Sequence, residues 1–291
     1  MFANFFEFMD KFGNKYAFLK NNFVWRNVKQ YYWKIRELTL PNTSKIDENA
    51  VQFFAQNELR VNNIANFLAD EQSKKEFLGL IKFRQTKNKN DFPTLAANKK
   101  NQYFIKEVIL SKDEVFIDCG AYTGDTITEF LKHCPDFKQI IAFEPDENNF
   151  KQLQKKYNKN PKIQFHNAGT YNKDGVVNFD ISFGALGGTI IESENQNNFI
   201  SIQVKSIDNL KLENVTFIKM DIEGAELNAL KGAEKTILRD KPKLVISIYH
   251  SNEDMLSIAE YIHNLFPEYK IYIRHHMPCP YWVETVLYAL L

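Results

Sequence analysis

Val115 to Gly124 reads VFIDCGAYTG: a short apolar run that stops at an acid, crosses two glycines and opens into a helix. Val115, Phe116 and Ile117 suit a strand buried on both faces, Asp118 ends it, and Gly120 and Gly124 let the backbone approach a ligand closely. Thr126 to Cys134 then has helical periodicity, with Ile127, Phe130, Leu131 and Cys134 on one face. A parallel sheet presents a nucleotide-like ligand in this way, at the carboxyl end of its first strand. The spacing also bears on which ligand. A dinucleotide fingerprint has glycines at G-x-G-x-x-G, whereas this turn is Asp118-x-Gly120-x-x-x-Gly124 and lacks the glycine on which a pyrophosphate would rest. A ligand without phosphate fits it better.

Outward from that turn, strand and helix alternate. Strands are expected at Glu114 to Asp118, Gln139 to Phe143, Ile163 to Asn167, Thr216 to Met220, Lys243 to Tyr249, Tyr269 to Arg274 and Glu284 to Leu291. Helices separate most of them, which implies right-handed crossovers and a parallel sheet. The last strand is reached without a helix and must therefore run antiparallel to its neighbour. Val176 to Ile181 and Ile200 to Ser206 interrupt the rhythm as an inserted antiparallel pair around a loop with Gly184, Gly187 and Gly188. The fold class is thus α/β, a Rossmann-like, mostly parallel sheet with an antiparallel last strand.

The N-terminal side differs in kind. Three helices are expected at Ser44 to Asn57, Glu58 to Asp70 and Glu71 to Arg84, and the polar, Pro93-broken stretch Thr86 to Gln102 reads as a linker. Residues 1–100 therefore form a helical extension and residues 101–291 the ligand-binding domain. Residues 1–40 interleave aromatic residues with lysine and arginine. An aromatic stripe at helical spacing reads first as a packing or self-association face; a surface helix touching a membrane is the alternative.

Composition bounds the rest. Lys+Arg 37 against Asp+Glu 36 gives a net charge of +1, so no global field points to nucleic acid. Cys119, Cys134 and Cys279 have no paired or metal-like spacing, and with no secretory signal this reads as a reduced, cytoplasmic chain. No stretch approaches the roughly 18 to 20 apolar residues of a membrane span.

Residues at the carboxyl ends of strands share one rim, and here the rim collects Asp118, Glu144, Asp221, Glu223 and His250. Glu144 is placed to accept hydrogen bonds from both hydroxyls of a ribose; capping the helix that begins at Asp146 is the competing job.

Four segments carry a resemblance: VFIDCGAYTGDT (115–126), IIAFEPDENNF (140–150), FIKMDIEGAELNALKGA (217–233), and the terminal YH, RHH and ETVLYAL pieces. Across Tyr103 to Leu291 the chain resembles the FkbM-type S-adenosylmethionine-dependent methyltransferases. The resemblance implies a seven-stranded sheet with an inserted antiparallel strand, S-adenosyl-L-methionine as cofactor, and methyl transfer to oxygen, often on a sugar or polyketide. It places the cofactor against Asp118, Gly120, Ala121, Tyr122, Gly124, Asp125, Glu144, Pro145, Asn167 and Ala168. A sugar hydroxyl must lose its proton as it attacks. His250 is the expected base and Asp221 the positioning acid. Tyr103, Glu223, His275 and His276 are expected on the acceptor, a small molecule or glycan, with a nucleotide-activated or surface-glycan sugar the expected kind. No metal is expected, because neighbouring histidines on a strand face opposite sides. A nicotinamide-dependent sugar-modifying enzyme is the alternative, disfavoured by the missing glycine and by the absence of a Tyr-x-x-x-Lys pair after the fourth strand. A non-catalytic scaffold is disfavoured by the intact acids and His250.

Overall fold

Seven of the apolar runs pair into one sheet. The computed structural model describes residues 49–97, 99–180, 189–191, 199–279 and 283–291; the expectations for residues 1–48 and for the loop with Gly184, Gly187 and Gly188 lie outside the described residues. The strands are β1 (Val115–Cys119), β2 (Gln139–Phe143), β3 (Ile163–His166), β8 (Phe217–Met220), β9 (Lys243–Ser247), β10 (Lys270–His275) and β11 (Thr285–Leu290), in the order β10-β11-β9-β8-β1-β2-β3. The β1, β2, β3, β8 and β9 pairings are parallel, and β11 is antiparallel to both β9 and β10. The helix-free last connection therefore ends as expected, with the last strand wedged between its two neighbours.

Burial on both faces explains the unalternated sequences. Ile117 and Cys119 pack on one side of β1 and Phe116 on the other. The Phe116 side is covered by α4 (Asp125–His133) and α5 (Glu147–Tyr157), through Ile127, Phe130 and Leu153. The Ile117 side is covered by α6 (Glu226–Lys231), α7 (Glu234–Asp240) and α8 (Asp254–Leu265), together with the earlier α1 (Ala50–Gln56), α2 (Glu58–Phe67) and α3 (Glu71–Thr86). Phe77 and Leu80 of α3 belong to the same apolar cluster as Ile246 and Ile273 of the sheet, and residues 49–291 form one compact unit.

Helix α3 also closes the sheet edge. Asp70 caps it by accepting from the Ser73 amide at 2.7 Å. Along the outer edge of β10, the Ile273 amide donates to Ser73 Oγ at 3.1 Å and the His275 amide to Glu76 Oε2 at 2.6 Å. The Ile271 carbonyl accepts from Ala69 at 2.8 Å. An exposed edge would offer these groups to another chain; here two side chains of α3 and the Ala69 amide just before it satisfy them.

The inserted pair is present as β5 (Gly175–Asp180) antiparallel to β7 (Phe199–Lys205), in a second sheet with β4 (Gly169–Thr170) and β6 (Thr189–Ile191). The stretch expected as a linker holds two short 3-10 turns, Lys89–Asp91 and Lys99–Asn101. No helix among the described residues is long and apolar enough to cross a membrane.

Candidate functional site

A cavity of about 350 Å³ opens where β1, β2, β8 and β9 end. Its floor is the turn after β1. Gly120 has φ +80, and a Cβ there would lie 2.1 Å from the Asp221 carbonyl oxygen, so only glycine lets the two strand ends come together. The amides of Gly120 and Ala121 both donate to the Phe143 carbonyl, at 3.0 and 2.8 Å, which ties the turn to β2. Tyr122 follows with φ 48, an uncommon conformation for a non-glycine residue.

Glu144 ends β2 and faces the cavity. Its Oε2 accepts from the Tyr122 amide at 2.8 Å and its Oε1 from the Asp146 amide at 2.9 Å. A carboxylate has about four acceptor positions, so both oxygens keep capacity for ligand hydroxyls. Burial pushes the carboxyl up to about 7, against the downward pull of those two amides. The competing capping role belongs to another residue: Asp146 accepts from Asn149 at the start of α5. Asp125 and Pro145 share the wall with Tyr122, and Gly169 and Thr170 extend it past β3.

Several residues expected on the cofactor stand one layer back. Asp118 is 0 % exposed, and the register of β1 against β8 sets it directly opposite Lys219. Lys219 Nζ lies 3.2 Å from Asp118 Oδ1 and donates to the Gly120 carbonyl at 2.8 Å. Burial raises the Asp118 carboxyl and Lys219 opposes that rise; burial would lower Lys219, but Asp118 and Asp221 hold it above its usual value. Asp118 therefore braces the turn through Lys219 and is not among the residues that line the cavity. Ala121 is fully buried beneath the turn, and Gly124 is the N-cap of α4. Asn167 Nδ2 donates to the carbonyls of Glu144 and Pro145 at 2.9 and 3.1 Å, shaping that wall from behind, and Ala168 is core.

The far end of the cavity is a second polar group, centred on Asp221. Tyr103 donates to Asp221 Oδ2 at 2.8 Å and Tyr249 to Oδ1 at 3.1 Å. Burial would raise the carboxyl, but His250 and Lys219 bring it below its usual value, so Asp221 is ionised. Glu223 and Glu284 stand beside it; Glu284 Oε1 pairs with Lys99 at 2.6 Å and its Oε2 accepts from Gln102. Glu223 (φ 58) and Glu284 (φ 70) share the left-handed backbone of Tyr122. Three of the seven described non-glycine residues with positive φ thus line the cavity, two of them at its Asp221 end.

His250 lies behind this wall. Its Nδ1 is 3.1 Å from Glu226 Oε1, and its Nε2 is 3.4 Å from Asp221 Oδ1 and 3.5 Å from Glu223 Oε2. Burial would lower the ring, but Glu226, Asp221 and Glu223 outweigh it and push it up to about 10. While this cluster holds no ion, the three carboxylates favour the protonated ring. In that ion-free form the ring cannot accept a proton, and Asp221 is the ionised group of the cluster that also lines the cavity.

His275 and His276 correct the expectation that they meet the acceptor. His275 Nδ1 is 2.8 Å from Thr285 Oγ1, His276 Nε2 is 2.7 Å from the Tyr288 hydroxyl, and both rings are buried in the β10–β11 pair away from the cavity. Lys219, Tyr249, Gln102 and Glu226 are the residues that sequence reasoning passed over. Lys219 had a visible signal, a lysine inside the apolar run FIKM, and Glu226 lies within the MDIEGAE block.

Residues 118–270 match the model of the Methyltransferase FkbM domain. Over 169 residues the chain is 22 % identical to the 2-O-methyltransferase NoeI of Sinorhizobium fredii, covering 51 % of this chain and 68 % of that one. The crystal structure of methyltransferase FkbM from Methylobacillus flagellatus KT superposes with a TM-score of 0.72 at 26 % identity, covering 90 % of this chain and 70 % of the other.

Proposed function

The chain belongs to the FkbM family of methyltransferases, and from that premise we propose that it moves a methyl group from S-adenosyl-L-methionine to a hydroxyl of an uncharged sugar. The observation that carries this reading is one cavity with two carboxylates in different roles, Glu144 at one end and Asp221 at the other.

The donor set suits this cofactor. Glu144 retains acceptor capacity for ribose hydroxyls, and Gly120, where a Cβ would strike the Asp221 carbonyl, keeps the two strand ends together under the cavity. The nearby cations are engaged elsewhere: Lys156 donates to the Gly124 carbonyl at 3.0 Å and Lys219 to that of Gly120. No free cation among the described wall residues offers itself to a pyrophosphate, which weighs against a dinucleotide.

When bound, S-adenosylmethionine supplies an electrophilic methyl group on a sulfonium. The residues contribute position and a proton acceptor. Asp221, held by the Tyr103 and Tyr249 hydroxyls, takes the hydroxyl proton as the new carbon–oxygen bond forms. Fixing acceptor and cofactor in line provides much of the acceleration in such a displacement. Oxygen as the accepting atom is supported by the relative that is by name a 2-O-methyltransferase. An uncharged acceptor is supported by the acids of the wall.

Calorimetric titration with S-adenosylmethionine and with NAD tests the cofactor: binding of the first and not the second is expected, and the reverse would overturn the proposal. Mass spectrometry of neutral glycans incubated with methyl-labelled cofactor tests the acceptor.

A further inference from the structure

We propose that Asp221, Glu226 and His250 form a binding site for one divalent metal ion of the Mg²⁺ or Mn²⁺ class. They come from three segments, the end of β8, the first residue of α6 and the loop after β9, and each presents a ligand atom within 4.8 Å of the others. The His250 side chain is 9 % exposed, and neither ring nitrogen makes a hydrogen bond, although three carboxylates stand within 3.5 Å. Glu226 is 0 % exposed; one oxygen accepts from the Ile222 amide at 2.8 Å and the other has no hydrogen-bond partner. Buried polar atoms left unpaired are destabilising, and an ion that displaces one ring proton of His250 gives them a partner.

Charge points the same way. Asp221, Glu223 and Glu226 surround one imidazole, while the neighbouring cations are occupied: Lys219 by Asp118, and Arg84 by Asn252 and the Tyr249 carbonyl. Carboxylate oxygens without a thiolate suit Mg²⁺ or Mn²⁺, and the imidazole favours Mn²⁺ of the two. Because Asp221 also lines the cavity, an ion held there would polarise a hydroxyl at the acceptor end; this consequence rests on the acceptor reading above, whereas the binding itself does not.

The test uses the full chain, stripped with EDTA and desalted, then titrated with MnCl₂ without cofactor and followed by the electron paramagnetic resonance of free Mn²⁺. One ion per chain, competed by Mg²⁺, is expected, with nitrogen couplings from a coordinated imidazole in the pulsed spectrum. Glu226→Gln and His250→Ala should each weaken binding tenfold or more. Absence of binding at millimolar Mn²⁺, or bound Mn²⁺ without nitrogen coupling, overturns the proposal and leaves the cage as an imidazolium bridge. The pulsed measurement needs no variant, so it decides the matter even if the substitutions unfold the chain. Separate titration with S-adenosylmethionine keeps failure here distinct from failure of the methyltransferase site.

Discussion

At Glu144, burial and hydrogen bonding decide when a ribose is held. The carboxyl sits at about 7 because burial outweighs two amide donors, and only its ionised form can accept from both ribose hydroxyls. Ligand donors favour the charged form, so S-adenosylmethionine affinity should be full above pH 7 and fall about tenfold per pH unit below it. Calorimetry at several pH values checks this, and Glu144→Gln should bind weakly with a flat profile. At Lys219 the prediction concerns stability. Lys219→Met leaves Asp118 buried and unpaired and should cost about 3–5 kcal/mol in urea unfolding, with much of that recovered in the Asp118→Asn, Lys219→Met double variant. The two residues also mark a limit of sequence reading. Asp118 was legible as the end of a strand, and its neighbour on β8 was not, because Asp118 opposite Lys219 follows from strand order and register, which no local pattern encodes. Glu144, Gly120 and Asp221 were legible because strand ends of a parallel sheet share one rim whatever the register.

Among the elements, α3 carries a role that its sequence conceals. The apolar positions of EQSKKEFLGLIKFRQT announce a helix, but Ser73 and Glu76 look like solvent-facing residues until β10 is placed beside them. His275 and His276 are hidden for a related reason: strand alternation does not tell which neighbouring strand will engage the rings, and both are bonded by Thr285 and Tyr288 of β11. Asp70 joins the two elements, since it caps α3 and its Oδ2 accepts from Arg274 Nη2 at 2.6 Å. Burial would raise its carboxyl, but hydrogen bonds from Arg274 and Ser73 bring it to about 2. Its folded value lies below the unfolded one, so this contribution is present above pH 4 and is lost as pH falls toward 2. Asp70→Ala, which removes the cap and leaves a nearly buried guanidinium short of a partner, should cost about 3 kcal/mol at neutral pH. Thermal unfolding at pH 7 should show the loss, and the gap from the unsubstituted chain should narrow in acid.

Over the whole molecule, charge is balanced globally and unbalanced at the site. The chain has a net charge of +1, yet the cavity wall carries Asp125, Glu144, Asp221, Glu223 and Glu284 against Lys99 and Lys219. Lys99 is spent on Glu284 and Lys219 on Asp118, and even one divalent ion in the cage leaves the acids in excess. Two unit charges 4 Å apart interact by about 4 kcal/mol near a protein surface, so an acceptor bearing a phosphate or carboxylate meets a barrier that a neutral sugar does not. A neutral glycoside should therefore exceed its phosphorylated or uronate counterpart in kcat/KM by at least about tenfold at low ionic strength. The gap should shrink in high salt, as exposed charges are screened over about 10 Å at 0.1 M. It should also widen as pH rises through 7, since burial holds Glu144 and Glu223 at about 7 and both gain charge above it. Paired assays across salt and pH, at one fixed divalent concentration, check all three trends. A charged acceptor that outperforms its neutral counterpart at low salt would mean that cations beyond the described wall govern acceptor choice.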